Sequence, residues 1–269
     1  MFFIVLANTV FMRAIWSGAI GFGLVNIPIK IYSAIQSSNL DLDMLDKKNH
    51  ANIKYQRINE STGKVVPWDQ IVKGYKVKDE YVVLEEEDFE RASPEKSKVI
   101  DINEFVKEEE INAMFFDTPY YTEPAKNGEK PYQLLHKALT QTGKVALGSF
   151  VMRTKENFCM LKAGDDGVLL LVKLRFPEEI RTTEDISIPN KGTVKPAELK
   201  MAVALINQLS PKKFSIAKYK DTYNAALLKV INDKAKGKKV TQPKFKLVKK
   251  SSTDIMDQLK ESLKSKKAG

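Results

Sequence analysis

The stretch SGAIGFGLVNIPIKIY, residues 17–32, combines three glycines with an apolar residue at every second position from Val25 onward. That alternation predicts a half-buried β-strand, and Pro28 within it favours an edge or bulge position. A phosphate-binding loop would instead need a helix directly after the glycines and a lysine or a third glycine at fixed spacing. Asn26 stands where the third glycine would be, and no helix is predicted there. The glycines therefore indicate tightly packed strands, in which a side chain would obstruct close backbone approach.

Cysteine and histidine are scarce in the 269 residues, although 43% of the chain is apolar and can form a sizeable core. Cys159 is the single cysteine, and His50 and His136 are the two histidines. They exclude an internal disulfide framework, a multi-thiolate zinc site and a histidine-rich metal cluster, and a reducing, cytoplasmic location is expected. Residues 1–11 are apolar but too short to span a bilayer, and they lack the basic start of a signal peptide. We interpret them as an extra strand or an N-terminal extension and expect no membrane role.

The net charge of +10 is unevenly distributed along the chain. Residues 234–269 carry +9 of it, whereas residues 78–110 carry −8. A lysine-rich tail on a nearly neutral body suggests a polyanionic partner for the tail. A solvated tail that only keeps the protein in solution remains an alternative.

Strands and helices are both predicted, which makes the chain mixed α+β. A polar ribbon over residues 45–76 contains a turn at Ser61, Thr62 and Gly63. After an acidic run at residues 85–88, which is interpreted as a solvated surface, a helix is predicted over residues 130–142. Its apolar face consists of Leu134, Leu135, Ala138 and Leu139, and Gly143 ends it. Three strands follow, and a Gly-Asp-Asp-Gly turn joins the last two.

The C-terminal part is predicted to be helical. One helix over residues 196–210 carries an apolar stripe of Leu199, Val203, Ile206 and Leu209, and a second over residues 218–236 carries one of Tyr219, Tyr223, Leu227 and Val230. A basic linker leads to a short helix whose apolar face consists of Ile255, Met256, Leu259 and Leu263. A free helix of this length is marginal in water, so these four residues are predicted to bind a partner.

Catalytic, metal-binding and cofactor-binding patterns are missing from the sequence. Nucleotidyl-transferring ligases use K-x-D-G, but Asp166 and Gly167 follow Lys162 one residue too far along the chain. Neither histidine has a carboxylate or cysteine at ligand or triad spacing. A divergent nucleotidyl transferase or nuclease, and a basic scaffold whose tail binds membrane or RNA, are the alternatives to a noncatalytic nucleic-acid-binding protein.

Basic residues accumulate in the extended segments, where they suit contacts to backbone phosphates without base readout. No helix-turn-helix or zinc-finger pattern accompanies them. The candidate DNA-binding residues are Lys30, Lys54, Arg57, Lys64, Lys73, Lys76, Arg153, Lys155, Lys173 and Arg175.

Several blocks, in the same order, resemble the bacterial Ku proteins, which bind DNA ends in non-homologous end joining. They are MRAIWSGAIGFGLVNIPIKIYSA, VPWDQIVKGY, KVALGSFVMRTKE, LRFPEEIR and KYKDTYNAALLKVINDKAKGK, and DIMDQLKESLKSKK is similar to the C-terminal ligase-contacting segment of that family. The resemblance implies a β-barrel core over residues 12–196, an extended bridge arm at about 45–76 and a C-terminal helical arm over residues 197–237. The basic linker and the ligase-interacting helix occupy residues 238–269.

The same resemblance implies the function and the partners. A ring-forming homodimer would hold a duplex end threaded through it, without being an enzyme, and would recruit an ATP-dependent multifunctional end-joining DNA ligase. Its location would be cytoplasmic and nucleoid-associated. One departure is clear: many relatives carry cysteines before the VPW block, whereas this chain has INESTGKVVPW. A bridge zinc site is therefore not expected, and hydrogen bonds and packing must hold that turn.

Overall fold

The computed structural model describes residues 12–92, 98–187, 194–238 and 255–265. They belong to two compact units, one of residues 1–37 and 42–182 and one of residues 38–41 and 183–269. The predicted N-terminal extension and most of the predicted basic linker lie outside the described residues.

Seven strands of the first unit close into a barrel. The chain order is β1 (Trp16–Phe22), β2 (Val25–Ser33), β5 (Val99–Lys107), β6 (Phe116–Pro124), β7 (Lys144–Met152), β8 (Lys155–Ala163) and β9 (Leu169–Leu174). Around the barrel the order is β1-β2-β6-β9-β8-β7-β5, and a parallel pairing of β1 with β5 closes it. β3 (Lys73–Val77) and β4 (Glu80–Leu84) form a separate hairpin. The predicted mixed α+β fold with a β-barrel core is confirmed.

The glycines of the first strand lie where the backbones of β1 and β5 approach closely. A Cβ on Gly18 would be 2.2 Å from the carbonyl oxygen of Lys98, and one on Gly21 would be 2.7 Å from Val99 Cγ1. Gly23 forms the turn to β2 with a φ of 57°, a left-handed conformation that favours glycine. The interpretation as tightly packed strand residues is confirmed for Gly18 and Gly21, whereas Gly23 is a turn residue.

Strand β2 has the predicted alternation, because Ile27, Ile29 and Ile31 are buried. It is not an edge strand, however, since β1 and β6 pair with it on either side. Pro28 lies one residue before the paired segment of β6 begins at Ile29, so its missing N–H interrupts no bond in that ladder. The predicted edge position therefore holds at Pro28 itself, although β2 as a whole is not an edge strand.

Helix α2 (Glu129–Thr142) packs on the main apolar cluster of the barrel through Tyr132, Leu135 and Leu139. The Tyr132 hydroxyl lies 3.0 Å from Thr122 Oγ1 and accepts a 2.7 Å hydrogen bond from the Leu169 amide. Gly143 ends the helix at a φ of 63°, as predicted. The predicted face is wrong at Leu134 and Ala138, because both are exposed.

A second apolar cluster lies on the other face of the β7–β9 sheet and contains Val145, Leu147, Met160 and Leu174. Half-buried Ile111, among other residues, covers it. These strands are therefore apolar on both faces, which explains their nearly continuous hydrophobic sequences.

The remaining helices are α1 (Glu86–Ala92) in the first unit and α3 (Pro196–Leu209), α4 (Thr222–Ala235) and α5 (Ile255–Ser265) in the second. Helix α4 begins later than predicted because Asp221 caps it, accepting hydrogen bonds from the amides of Tyr223 and Asn224. Tyr219 therefore precedes the helix and does not belong to its apolar stripe. Within the described residues, no helix is both long and apolar enough to cross a membrane.

Candidate nucleic-acid interface

The bridge, residues 45–76, consists of short hairpins and strand β3. Isolated β-bridges join Leu45 to Asn52 and Ile58 to Val65, and β3 then pairs with β4. Nearly every side chain in it is exposed. The bridge carries seven Lys or Arg residues against three Asp or Glu residues, so it is a net cationic surface without an apolar core of its own.

Hydrogen bonds to the Asn59 side chain and backbone stabilise the bridge turn at Ser61, Thr62 and Gly63. The Asn59 side chain accepts bonds of 3.0 Å from the amides of Ser61 and Thr62, and the Gly63 amide donates to the Asn59 carbonyl oxygen at 2.9 Å. Gly63 has a φ of 66°. An asparagine at the start of a turn and a glycine in the left-handed region are the residues that favour such a turn.

Two of the candidate cations of the bridge contact aromatic rings. The Arg57 guanidinium carbon lies 4.2 Å from the centroid of the Trp68 ring, and Lys73 Nζ lies 4.8 Å from that of Phe89 in α1. A guanidinium that stacks on one ring still directs its N–H groups outward in its own plane. Arg57 is therefore oriented and still able to donate to a phosphate.

Strand β3 carries Lys73 and one further candidate, Lys76. Lys73 and Lys76 are three residues apart on a strand, so their side chains point to opposite faces of the β3–β4 hairpin. Lys76 pairs across the hairpin with Tyr81, which is 70% exposed. Lys54 and Lys64 are exposed elsewhere on the bridge.

The strand register places four candidates toward one end of the barrel. Lys155 pairs with Met152 across the turn that contains Arg153, and further along the same strand Cys159 pairs with Lys173. Arg175 directly follows the end of β9. Residues from two separate stretches of sequence, Arg153 and Lys155 on one side and Lys173 and Arg175 on the other, therefore lie at the same end of β8 and β9.

Asp117 compensates part of the positive charge at this end. Its carboxylate lies 3.2 Å from Lys173 Nζ and 3.3 Å from an Nη atom of Arg175. Arg175 also donates to the carbonyl oxygens of Met114 and Phe116. Arg175 thus stabilises the start of β6 as well as contributing charge.

Lys30 lies toward the opposite end of the barrel wall, on the outward face of β2, paired across the strands with Glu123 of β6. Glu123 also accepts a hydrogen bond from the Tyr32 hydroxyl, and this bond raises the pKa of Tyr32. The structure therefore does not bring Lys30 together with the four candidates at the end of β8 and β9.

Three further lysines have suitable positions but were not among the candidates. Lys47 and Lys48 lie in the turn of the first bridge hairpin, and Lys78 lies in the β3–β4 turn with a φ of 57°. Hairpin tips are the most accessible parts of an extended arm. The segments rich in apolar residues on both sides of DKKN and of KDE could have revealed these turns from the sequence.

Two sequence features that could indicate catalysis, Lys162 and His136, make contacts within the first unit. Both oxygens of Glu108 lie within hydrogen-bond distance of Lys162 Nζ, at 2.7 and 2.8 Å. A His136 ring nitrogen lies 3.0 Å from the Gly164 carbonyl oxygen, which ties α2 to the β8–β9 turn. Among the described residues, no three His, Cys, Asp or Glu side chains converge as metal ligands would.

Comparison with known proteins identifies one family. A family model described as the Ku70/Ku80 beta-barrel domain matches residues 21–201. A protein of Cupriavidus necator is 43% identical over 237 residues, which are 86% of this chain and 69% of the relative. One of Coxiella burnetii is 35% identical over 262 residues, which are 94% of this chain and 95% of the relative. One of Bacillus subtilis is 38% identical over 230 residues, which are 84% of this chain and 73% of the relative. All three are named non-homologous end joining protein Ku.

Proposed function

The chain belongs to the Ku family of non-homologous end joining proteins, and on that premise we propose that it captures double-stranded DNA ends as a ring-shaped homodimer. The observation that carries the proposal is the bridge, an extended cationic segment without a core of its own. In this proposal the bridges of two copies close a ring around the duplex. The protein acts by binding and has no catalytic step of its own.

Exposed apolar side chains support a second copy as the first partner. Within the bridge, Tyr55 is 76% exposed and Trp68 is 71% exposed. On α3, the predicted stripe of Leu199, Val203, Ile206 and Leu209 is also exposed. Large apolar patches on a folded chain indicate surfaces that a protein partner covers. Both the bridge and the C-terminal helical arm of one copy would therefore pack on the other.

The distribution of basic residues supports binding without base readout. Exposed Lys and Arg residues on strands and turns reach backbone phosphates, which are equivalent at every sequence. A ring retains DNA by topology, so its lining needs only moderate positive charge, and a duplex end is required for entry. The partial neutralisation of Lys173 and Arg175 by Asp117 is compatible with such a lining.

The C-terminal helix supports the recruitment of a ligase. Ile255, Met256, Leu259 and Leu263 recur at helical spacing and give α5 one apolar face, which suits binding in a groove of another protein. An ATP-dependent end-joining DNA ligase is the proposed partner, since an end clamp without catalysis needs an enzyme to seal the break. Binding to chromosomal DNA would place the protein at the nucleoid.

Blocking the ends of the DNA tests the clamp directly. A linear duplex, the same duplex with bulky caps at both ends and a closed circle of the same sequence would be compared in gel-shift titrations. We expect binding to the open linear form only, with log K falling by roughly 0.9 per neutralised phosphate for each unit of log salt. Equal affinity for the circle would contradict the proposal.

Charge reversal at Lys54 and Arg57 together tests the role of the bridge. The double variant should bind ends more weakly and remain a dimer in sizing experiments. A matched control reverses Lys126 and Lys130, which are exposed near the start of α2 and outside the candidate set. Equal losses in the two double variants would show that total charge, and not the bridge, determines the affinity.

A further inference from the structure

Helix α3 has two apolar faces that differ in exposure. Leu199, Val203 and Ile206, on the predicted stripe, are between 45% and 62% exposed. Met201 and Leu205 are half-buried and lie on another side of the helix. Successive residues of an α-helix are separated by about 100°, which places the centres of the two faces more than a quarter turn apart. The second face is therefore covered within the same chain, whereas the exposed stripe is the side proposed to pack on a second copy.

That element is α5, which packs on α3 within the second unit. The Gln208 side-chain amide lies 3.4 Å from the carbonyl oxygen of Leu263 in α5. Gln208 follows Met201 by seven residues and Leu205 by three, so it belongs to the same side of α3. The half-buried face of α3 is thus the one that contacts α5.

Helix α5 uses its apolar face for this contact. Three of its four apolar residues, Met256, Leu259 and Leu263, are half-buried, while Ile255 at the start of the helix is 58% exposed. Asp257, Lys260 and Glu261 on the other side are exposed. Since α5 is apolar on one side only, the face that packs on α3 is the face that a partner protein would need. Docking in the same chain and binding in another protein are therefore mutually exclusive.

We propose that the face of α3 formed by Met201, Leu205 and Gln208 is a docking surface for α5 of the same chain, and that docking masks the partner-binding side of α5. The masking rests on the proposed recruitment of a ligase, whereas the docking does not. An isolated helix of 11 residues is marginal in water, so α3 supplies the packing that keeps α5 helical between encounters. A partner must then compete with α3 for the same apolar residues.

This competition has a quantitative consequence. When only a fraction of the molecules is competent to bind, the apparent dissociation constant is the intrinsic one divided by that fraction. If α5 is docked in about 90% of the molecules, a variant that cannot dock binds its partner ~10-fold more tightly. A substitution on α3, outside the partner-binding helix, would then increase affinity for the partner.

Hydrogen exchange of the full chain tests the docking without any ligase. We expect α5 amides to be protected in the parent chain and unprotected in Leu205→Glu, which places a charge in the α3–α5 contact. Val203→Glu is the matched control, because it makes the same kind of change in the same helix on the exposed stripe. It should leave α5 protected and weaken the dimer instead. Leu259→Glu places the charge in α5 and leaves the sequence of α3 unaltered. It should also remove the protection, so the docking can be tested even if Leu205→Glu unfolds α3.

Two outcomes overturn the docking. Exchange of α5 at the rate of an unstructured peptide in the parent chain is one, and equal loss of protection in Val203→Glu and Leu205→Glu is the other. Circular dichroism of both variants shows whether α3 remains helical, so that a local unfolding is not mistaken for undocking.

Titration with the ATP-dependent end-joining ligase tests the masking. Leu205→Glu should bind the ligase more tightly than the parent chain does, and Val203→Glu should bind it with parental affinity per chain. Unchanged ligase affinity in Leu205→Glu, once its α5 amides are shown to be unprotected, overturns the masking. Absence of ligase binding to every variant overturns the recruitment and the masking together, while protected α5 amides would still establish the docking.

Discussion

The guanidinium of Arg57 stacks on the indole ring of Trp68, with 4.2 Å between the guanidinium carbon and the ring centroid, on a bridge whose side chains are almost all exposed. The two residues lie in successive segments of the bridge and are 11 positions apart. Their contact orients a cation that would otherwise sample many rotamers, and it does so without burying the charge.

Replacement of Arg57 by lysine should weaken DNA-end binding while keeping the charge. The flat stacking on Trp68 that orients the cation is lost. A cation–π contact at an exposed site contributes about 0.5–1 kcal/mol, so the loss of affinity should not exceed roughly 2–5-fold. The slope of log K against log salt should not change, because the number of neutralised phosphates is the same. Fluorescence anisotropy at several salt concentrations measures both quantities, with Lys54→Arg as the control. A reduced slope would show that the lysine no longer reaches the phosphate.

Asp117→Asn should strengthen DNA binding if Lys173 and Arg175 face the duplex. The substitution preserves the shape of the side chain and removes the charge that compensates the two cations. The free energy of unfolding should fall by less than about 1 kcal/mol, because the ion pairs are partly exposed. Glu108→Gln, beside the non-candidate Lys162 at the opposite end of β8, makes the same change in net charge. Equal strengthening by both variants would argue against a specific role for the end of β8 and β9.

Gly148→Ala should destabilise the barrel. A Cβ on Gly148 would lie 2.1 Å from the carbonyl oxygen of Asp101 in β5, and a backbone atom in a paired strand cannot move aside cheaply. Overpacking of this kind costs about 1–3 kcal/mol, occasionally more. Urea unfolding should show a lower midpoint with an unchanged slope. Gly74→Ala is the control, since its nearest neighbour would be at 3.4 Å, and a similar loss there would refute the steric explanation.

The thiol of Cys159 should be unreactive in the folded protein. Burial in the barrel raises its pKa above the ordinary value of 9.0, so the thiolate forms only after unfolding. Because the unfolded chain loses this proton above pH 9 and the folded chain retains it, stability should fall as the pH rises through that range. Thiol labelling at pH 8 with and without urea measures the first effect. Cys159→Ala should flatten the pH dependence of the unfolding midpoint, and an equally steep dependence would assign it to other groups.

Local patterns were sufficient for much of the fold. The alternation of Ile27, Ile29 and Ile31 and the stop of α2 at Gly143 depend on neighbouring residues only, and the structure confirms both. The side of α2 that is buried was predicted less well. Tyr132, and not Leu134, packs on the barrel. Its hydroxyl lies within hydrogen-bond distance of the Thr122 side chain and accepts a bond from the Leu169 amide, and both residues belong to distant strands.

The candidate site shows the same division. A β-rich core, basic extended segments and apolar stripes on the C-terminal helices could all be predicted from the sequence, because periodicity and charge are properties of short stretches. Three features became visible in the folded chain alone: Asp117 compensates Lys173 and Arg175, Lys30 lies toward the other end of the barrel, and α5 covers one face of α3. Each of these depends on strand register or helix packing between residues that are far apart in the chain, and no local pattern contains that information.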